Sequence, residues 1–384
     1  LRSVKDHPNL EYKLLVSGAH LDDNFGRTLE EIENDGFNIH AQIDIEMDAN
    51  SLFSTAQAIG SGIINISKTL AEIKPDMMVV YADRFEGLAA VIASTQMNIP
   101  TAHIEGGDLT EGGALDDSVR HAMTKLSHIH FTTNQQASNR ILGMGEEDWR
   151  VHTVGFPAID LISQSNYATS EEIEKNLNLD TSRPIVLFTQ HSVTTEFDES
   201  KNQLLPSLEA IRKLAADGVQ VLLTYPNNDA GGKKIIDELI KFKEEKIKNT
   251  QVHISLGRYL YHGVLGLSLD RKKNIACLGN SSSGLKETPA FNCPTVNIGS
   301  RQDGRLRGKN VIDADYNHVD IYEATNKCLF DESFREICIA ADNPYWMGDA
   351  GPKIANVLAN TNLNKDLIRK KMTLSGEEKD GWYK

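Results

Sequence analysis

The segment PDMMVVYADRFEGLAAVIASTQMNIPTAHIEGG, residues 75–107, decides the fold class of this chain. It opens with the apolar run Met77–Tyr81, continues through a stretch of helical length, and ends in a second short apolar run, Thr101–Ile104. A strand, a helix and a strand in this order are typical of a parallel β-α-β unit. Because Met77–Tyr81 is apolar on both faces, we expect this strand to lie centrally in a covered sheet.

The same alternation extends on both sides of this unit. Apolar runs predict strands at YKLLVSG, HIHFTT and RVHTVG in the first half, and at PIVLFTQH, VQVLLTYPN, TQVHISL, KNIACLGN, CPTVNIG and KNVID in the second. A polar stretch, residues 164–184, separates the two halves. The sequence therefore predicts an α/β fold with two doubly wound parallel sheets, in domains 1–165 and 166–345, and a C-terminal helix with a charged tail at 346–384.

The composition excludes several classes of protein. With 384 residues, 40 % apolar and 24 % charged, the chain is long enough for two or three ordered domains. Its formal charge of -14 argues against a nucleic-acid partner, and no apolar run reaches the roughly 18 to 20 residues of a membrane span. The four cysteines form no C-x-x-C pair, so we expect reduced thiols in a cytoplasmic protein.

No metal site is predicted. His128 and His130 alternate along one strand and share a face, but no third ligand is evident in the sequence. A packed, hydrogen-bonded histidine pair is therefore expected in place of a metal centre.

Two acidic residues follow neighbouring strands in the first half. Asp83 comes after MVVYA and Glu105 comes after TAHI, so both should emerge at the carboxyl edge of one sheet, where ligands bind in such folds. Helix capping or a solvated turn is the alternative for each carboxylate taken alone. Arg84 and the glycine pair after Glu105 favour a site, because they suit anion binding and close backbone approach.

A third acidic position opens the helix predicted over ALDDSVRHAMTKL. Asp116 and Asp117 stand at its beginning, and an Asp there is usually a helix cap, so only one of the two need have another role. Arg120 and His121, about one turn later, could face the same cleft as Asp116.

In the second half, the segment NIACLGNSSSGLKETPAF predicts a strand, a hydroxyl-rich turn and a helix. Backbone N–H groups and the hydroxyls of Ser281, Ser282 and Ser283 suit a phosphate there, although neither a Walker loop nor a G-x-G-x-x-G pattern occurs. Glu287 is placed to accept hydrogen bonds from ribose hydroxyls, with a solvated helix position as the alternative.

Cationic and polar residues follow other strands of the second half. Arg301, Arg305 and Arg307 form either a pyrophosphate clamp or a plain basic loop. His191 follows the strand Ile185–Thr189 and is a candidate hydrogen-bond donor or acid. Asn227 and Asp229 follow another strand, where an ordinary turn is an equal interpretation.

Seven motifs in chain order resemble the hydrolysing UDP-N-acetylglucosamine 2-epimerases, over residues 12–358. They are YADRFE, HIEGGD, LDDSVRHAMTKLSH, QHSVTTE, YPNNDAG, GNSSSG and GSRQDGR. The resemblance implies the GT-B fold, two Rossmann-like domains with the nucleotide sugar between them. It also implies conversion of UDP-N-acetylglucosamine to N-acetylmannosamine plus UDP, in sialic acid biosynthesis, without NAD or metal. The non-hydrolysing relatives carry a Glu pair at positions 116 and 117 and a Gly-His-Arg motif at 190–192, unlike this chain.

The resemblance also assigns roles to single residues. The catalytic carboxylates fall on Asp83, Glu105 and Asp116, and the site histidine falls on His191. The nucleotide-sugar contacts fall on Arg84, Asn227, Asp229, Ser282, Ser283, Glu287 and Arg301 or Arg305. A carboxylate, Asp116 or Glu105, is expected to take the sugar C2 proton as UDP leaves, and Asp83 to assist the later hydration.

Two departures from the family leave alternatives open. The family's opening strand and its nucleotide-binding Arg have no counterpart, so we expect roughly 20 to 30 further residues upstream. The loop DLTEGGAL is longer than in the sialic-acid enzymes, which makes a UDP- or GDP-2,4-diacetamido-trideoxy sugar of the legionaminic acid pathway an alternative substrate.

Other classes of function and the oligomeric state also stay open. A GT-B glycosyltransferase would share the fold and need an acceptor, and a nucleotide-sugar sensor would not need the three carboxylates. The family implies a homodimer or homotetramer, with residues 48–68 as a candidate contact and a buried core helix as the equal alternative.

Overall fold

The computed structural model describes residues 1–21, 29–45, 52–110, 115–227 and 229–373. These residues form two α/β lobes. In the first, the strands are β1 (Leu14–Ser17), β2 (Ile39–Ile43), β3 (Met78–Tyr81), β4 (Thr101–Ile104), β5 (Ile129–Thr132) and β6 (Val151–Thr153). The helices there are α1 (Arg2–Lys5), α2 (Leu29–Asn34), α3 (Leu52–Ile73), α4 (Phe85–Gln96), α5 (Leu115–Leu126), α6 (Gln135–Gly143) and α7 (Ala158–Ser163).

The second lobe contains six more strands: β7 (Ile185–Thr189), β8 (Gln220–Thr224), β9 (Thr250–His253), β10 (Ile275–Gly279), β11 (Thr295–Ile298) and β12 (Val311–Ala314). Its helices are α8 (Ser170–Leu177), α9 (Ser200–Ala216), α10 (Gly232–Glu244), α11 (Gly257–Gly266), α12 (Ser283–Lys286), α13 (His318–Phe330) and α14 (Glu332–Ile339). Two further helices close the described chain, α15 (Ala350–Asn360) and α16 (Lys365–Ile368). The tail, residues 374–384, lies outside the described residues.

The second sheet is fully parallel, with the order β12-β11-β10-β7-β8-β9. Counted within the lobe, this is the doubly wound order 6-5-4-1-2-3, whose direction reverses between β7 and β10. Along β7, Val186 and Phe188 pack into one apolar core and Ile185 and Leu187 into the other. Both faces are therefore covered, as the continuous apolar runs predict.

The first sheet is also parallel, with the order β3-β4-β5-β6, and β1 and β2 form a separate parallel pair. The strand β3 is thus at an edge of its sheet among the described residues, and Val79 is 42 % exposed. The predicted central position is wrong, because β1 pairs with β2 and not with β3. The strand β2 was not predicted.

The C-terminal helices return to the first lobe. Ile354 of α15 and Leu367 of α16 pack against Phe131 of β5. The carboxylate of Asp160 accepts hydrogen bonds from the first backbone N–H groups of α15, at 3.0 and 2.6 Å. The helix α15 also packs against α1, so the two ends of the described chain meet on the first lobe.

The candidate oligomer contact, residues 48–68, is only partly described, since residues 46–51 lie outside the described residues. In the described part, α3 contributes Ala58 and Ile66 to the core of the first lobe. Phe53 and Ile64, which share one side of the same helix, lie exposed. The helix is thus a core element with some apolar surface, and the oligomeric state stays a prediction.

Candidate active site

The reversal point of the second sheet brings two strand ends together. The backbone N–H of His191, after β7, donates to Asn280 Oδ1 at 2.6 Å, and Asn280 Nδ2 donates back to the His191 carbonyl at 2.9 Å. Gly279 makes this approach possible, because its φ is +128° and a Cβ there would lie 1.9 Å from the Thr189 carbonyl oxygen. A crevice at such a point is where doubly wound sheets bind ligands.

The imidazole of His191 has a defined tautomer. Its Nδ1 accepts a hydrogen bond from the backbone N–H of Asn227 at 3.0 Å, so its proton lies on Nε2. Burial and the charge of Arg301 hold the pKa of His191 well below its usual value. The ring is therefore a neutral hydrogen-bond donor at physiological pH.

The serine-rich turn after β10 leads into a single helical turn, α12, and then a 3-10 turn, where the sequence predicts a longer helix. Ser282 precedes this turn, and Ser283 Oγ donates to Glu287 Oε2 at 2.8 Å. His262 Nε2 contacts the same oxygen at 2.9 Å. Although burial opposes ionisation, His262 and Ser283 lower the pKa of Glu287, which keeps it a carboxylate able to accept from ligand hydroxyls.

In the first lobe, Asp83 is paired with the buried guanidinium of Arg120. Arg120 also contacts Asp117 Oδ1 at 3.2 Å and Thr110 Oγ1 at 3.1 Å. Burial raises the pKa of Asp83, but Arg120 and then Arg305 outweigh it, so the pKa lies below the usual value. Asp83 is therefore ionised at neutral pH.

The two aspartates at the start of α5 have different surroundings. Asp117 is buried and accepts the backbone N–H of Thr110 at 2.6 Å, which makes it part of the loop structure. Asp116 is partly buried. Burial, followed by the charges of Asp229 and Asp83, raises the pKa of Asp116 to about 7. Asp116 is therefore poised to exchange a proton near neutral pH.

Glu105 occupies a left-handed backbone position, with φ +68°, at the end of β4. Its Oε1 accepts a hydrogen bond from the hydroxyl of Tyr81, and its Oε2 lies 2.9 Å from Nζ of Lys286 in the second lobe. Lys286 Nζ also lies 2.9 Å from Asp108 Oδ2. Glu105 is thus held from both lobes.

The arginines also link the lobes. Arg84 Nη1 lies 3.4 Å from Asp229 Oδ1, and Arg301 Nη2 lies 3.8 Å from Asp229 Oδ2. Asn227 Nδ2 donates to the same Asp229 oxygen. Arg305 donates to Thr110 Oγ1 at 2.7 Å and to a neighbouring carbonyl of the first lobe. Asp229 is therefore held between one arginine from each lobe.

The structure brings the three predicted carboxylates, His191 and the serine turn into one cleft. Other candidates lie elsewhere: Arg307 pairs with Asp313, and His121 is partly buried beside Asp117. His128 Nδ1 accepts the Thr101 N–H, and His130 contacts Glu146, so each histidine is hydrogen-bonded.

Sequence reasoning missed Tyr81, Asp108, Asn280 and Lys286. Tyr81 is the last residue of β3, and this position at the carboxyl edge of the sheet could have marked it as a candidate site residue. No local pattern marks Lys286 as buried, because its partners lie about 180 residues away in the chain.

Within the described residues, no group of three or more His, Cys, Asp or Glu side chains could hold a metal ion. The helices of the described part of the chain are too short or too polar to cross a membrane. The four cysteines are buried free thiols.

Comparison with known proteins adds independent findings. A family model described as UDP-N-acetylglucosamine 2-epimerase matches residues 2–359. A UDP-N-acetylglucosamine 2-epimerase of Neisseria meningitidis serogroup B is 33 % identical over 327 residues, covering 84 % of this chain and 81 % of that protein. The UDP-N,N'-diacetylbacillosamine 2-epimerase (hydrolyzing) of Legionella pneumophila is 32 % identical over 377 residues, covering 96 % and 93 %.

Solved structures show the same fold. The UDP-GlcNAc 2-epimerase from Neisseria meningitidis bound to UDP-GlcNAc superposes with a TM-score of 0.76 at 18 % identity, covering 94 % of this chain and 95 % of that one. That of Methanocaldococcus jannaschii in complex with UDP-GlcNAc and UDP gives a TM-score of 0.72 at 18 % identity, covering 94 % of each chain. This similarity confirms the predicted GT-B architecture of two Rossmann-like lobes.

Proposed function

This chain belongs to the UDP-N-acetylglucosamine 2-epimerase family and is a 2-epimerase, and from this premise we propose that it is a hydrolysing enzyme, converting UDP-N-acetylglucosamine to N-acetylmannosamine and UDP. The observation that supports this most is the contrast among the three carboxylates of the cleft. Asp83 is an ionised partner of Arg120, Glu105 is held by Tyr81 and Lys286, and Asp116 titrates near neutral pH. Environments that push apart the pKa values of neighbouring acids are typical of acid–base sites.

The first step is an anti elimination. The ionised Asp116 accepts the C2 proton, the electrons of that C–H bond form the C1=C2 double bond, and the C1–O bond breaks with its electron pair leaving on UDP. The product is a 2-acetamidoglucal. Asp116 is the best base of the three because Asp83 is stabilised as a carboxylate by its buried arginine and both oxygens of Glu105 already accept hydrogen bonds.

The departing diphosphate needs charge stabilisation. The Nε2–H of His191, the turn at Ser282 and Ser283, and Arg301 lie on the side of the second lobe where it would bind, and Arg84 faces them from the first lobe. Donors fixed before the reaction stabilise developing charge at little reorganisation cost. Glu287 would accept the ribose hydroxyls.

The second step is hydration of the glucal. Water adds its oxygen to C1 and loses a proton to a carboxylate of the cleft, and C2 receives a proton on the face opposite to the one deprotonated, which inverts its configuration. Asp83 lies next to Asp116 in this cleft and assists as the partner acid or base.

A 2,4-diacetamido-2,4,6-trideoxyglucose nucleotide is the alternative substrate for the same chemistry. The Legionella relative and the GDP/UDP-N,N'-diacetylbacillosamine 2-epimerase (hydrolyzing) of Campylobacter jejuni, 32 % identical over 317 residues, both favour it. The loop that would distinguish the two sugars includes residues 111–114, which lie outside the described residues. We also propose that the protein is a cytoplasmic homodimer or homotetramer with the domain limits given above.

Incubation with one sugar nucleotide and no acceptor tests the proposal. We expect UDP and a free 2-epimer to appear together, in equal amounts, from UDP-N-acetylglucosamine or from its diacetamido analogue. Turnover that starts only after an acceptor sugar is added would indicate a glycosyltransferase and contradict the proposal.

A further inference from the structure

Lys286 is a buried lysine that crosses from the second lobe into the first. It is 2 % exposed, and its ammonium lies 2.9 Å from both Glu105 Oε2 and Asp108 Oδ2. The rings of Phe156 and Tyr345 lie 5.0 and 5.4 Å from Nζ, close enough for cation–π attraction. Lysine is almost never fully buried unless it is paired, and here two carboxylates and two aromatic rings surround its ammonium.

The position of Lys286 in the chain connects it to the nucleotide site. It ends the single turn α12, three residues after Ser283 and directly before Glu287. Its carbonyl is fixed by Nδ2 of Asn343 at 2.9 Å. Because Lys286 closely follows the serine turn in the chain, any shift of that turn also moves the Cα atom of Lys286.

Glu105 depends on this ammonium for one of its two anchors. From its own lobe it is held by the Tyr81 hydroxyl and by a backbone hydrogen bond from its N–H to the Phe131 carbonyl, at 2.9 Å. From the other lobe, the Lys286 ion pair holds it. The carboxylate has both anchors only while the lobes are closed on each other.

We propose that Lys286 is a positioning residue for the reaction, coupling the nucleotide-binding turn of one lobe to the orientation of Glu105 in the other. This inference rests on the function proposed above. The ammonium does not transfer a proton to the sugar; it fixes the Glu105 carboxylate while the second lobe holds the nucleotide. The acidic cleft then reaches its working geometry only when the serine turn is in place.

Several charged and titratable groups face Lys286. Glu105 and Asp108 face it directly, the hydroxyl-bearing ring of Tyr345 packs against it, and Tyr81 contacts the far oxygen of Glu105. Arg120, Arg305, Asp83 and the adjacent Glu287 are the next charged groups. Lys286 lowers the pKa values of Asp108 and Asp83, so its loss raises both.

The test compares Lys286→Met with Lys286→Arg. For Lys286→Met we expect kcat to fall by about 10²-fold, which is the effect of a displaced catalytic group, with the Kd for UDP within about threefold of the wild type. The acid limb of its kcat profile should stay at the pH set by Asp116, because Lys286 is not among the charges that shift the pKa of that residue. Lys286→Arg keeps the positive charge, and its kcat should be at least tenfold higher than that of Lys286→Met.

Lys125→Met is the matched control. Lys125 pairs with the buried Glu146 at 2.6 Å, away from the cleft, so its loss should change neither kcat nor the profile. If Lys286→Met does not fold, the double variant with Lys286→Met and Asp108→Asn is measured in its place. The second substitution removes one of the two carboxylates that lose their partner.

Wild-type kcat in the Lys286→Met protein, or a loss of kcat that Lys286→Arg does not reduce, would overturn the positioning role. Absence of epimer formation by the wild-type chain would instead contradict the proposed function, so the two failures are distinguishable.

Discussion

Among the described residues, no cation pairs with Asp116 as closely as Arg120 pairs with Asp83. Arg301 and Arg120 lower its pKa, but burial, Asp229 and Asp83 together have the larger effect. A carboxyl group with a pKa of about 7 is half ionised at neutral pH and is a far stronger base than an ordinary aspartate.

Replacing this base should stop the reaction without preventing UDP from binding. Asp116→Asn is expected to abolish formation of the glucal and the 2-epimer, a loss of at least about 10³-fold in kcat, because the amide cannot accept the C2 proton. The Kd for UDP, measured by calorimetry, should change by less than about threefold. Full activity in the variant would refute the assignment of Asp116 as the base.

The raised pKa of Asp116 also predicts the pH dependence of stability. The folded chain keeps this proton up to about pH 7, whereas an unfolded aspartate loses it near pH 4, so ionisation destabilises the fold progressively between these values. Asp116→Asn should therefore be more stable than the wild type by about 1 to 2 kcal/mol at pH 8 and similar at pH 4. Urea unfolding at both pH values measures this, and an equal difference at the two would contradict it.

Individual site residues are only partly predictable from the sequence. Asp83, Glu105 and His191 stand directly after apolar runs, and strand ends are where doubly wound sheets place ligands. Which of Asp116 and Asp117 has the structural role cannot be inferred this way, because it depends on which carboxyl group accepts the Thr110 N–H. Lys286 is a stronger case, since the two carboxylates that pair with its ammonium, Glu105 and Asp108, both belong to the other lobe.

At the scale of elements, the end of β10 sets the position of the serine turn. Gly279→Ala would introduce a Cβ 1.9 Å from a backbone oxygen of β7, at a φ that side chains rarely adopt. We expect a loss of about 2 to 4 kcal/mol in unfolding free energy and weaker UDP binding, because the two strands must separate.

Gly60→Ala is the control for this substitution. Gly60 lies in the exposed part of α3 with open space around its Cβ position, so alanine there should stabilise the protein by about 0.5 to 1 kcal/mol. Urea unfolding curves of both variants give the comparison. A Gly279→Ala protein as stable as the wild type would show that the strands can adjust.

Strands that are buried on both faces could be predicted from the sequence. The runs Ile185–Thr189 and Ile275–Gly279 are continuous in apolar residues and became the central strands β7 and β10. The strand β2 has the mixed sequence IHAQI, in which His40 and Gln42 are exposed and only Ile43 is buried, and such a pattern gives little signal. The edge position of β3 depends on which strands pair, and the apolar run at Met77–Tyr81 cannot specify this.

For the whole molecule, the cleft is crossed by polar contacts from both sides: Arg84 with Asp229, Arg305 with Thr110, and Lys286 with Glu105. A diphosphate bound between these groups should stabilise both lobes together. At 100 times its Kd, UDP is expected to add about 2.7 kcal/mol, which for a chain of 384 residues raises Tm by roughly 3 °C in a single transition.

Uridine is the control ligand, because it lacks the diphosphate and should shift Tm less than UDP at the same concentration. Equal shifts for the two ligands, or a shift in only one of two separate transitions, would contradict a diphosphate site shared by the lobes. Calorimetric melting curves of the unmodified chain are sufficient.

The central claim is that the acids of the first lobe remove the C2 proton while the second lobe holds the departing UDP. Proton NMR of the reaction in D2O tests it most directly. We predict free N-acetylmannosamine, or the diacetamido 2-epimer, with deuterium at C2 and one UDP per sugar. A sugar that is still joined to UDP, or one released with hydrogen retained at C2, would contradict this account.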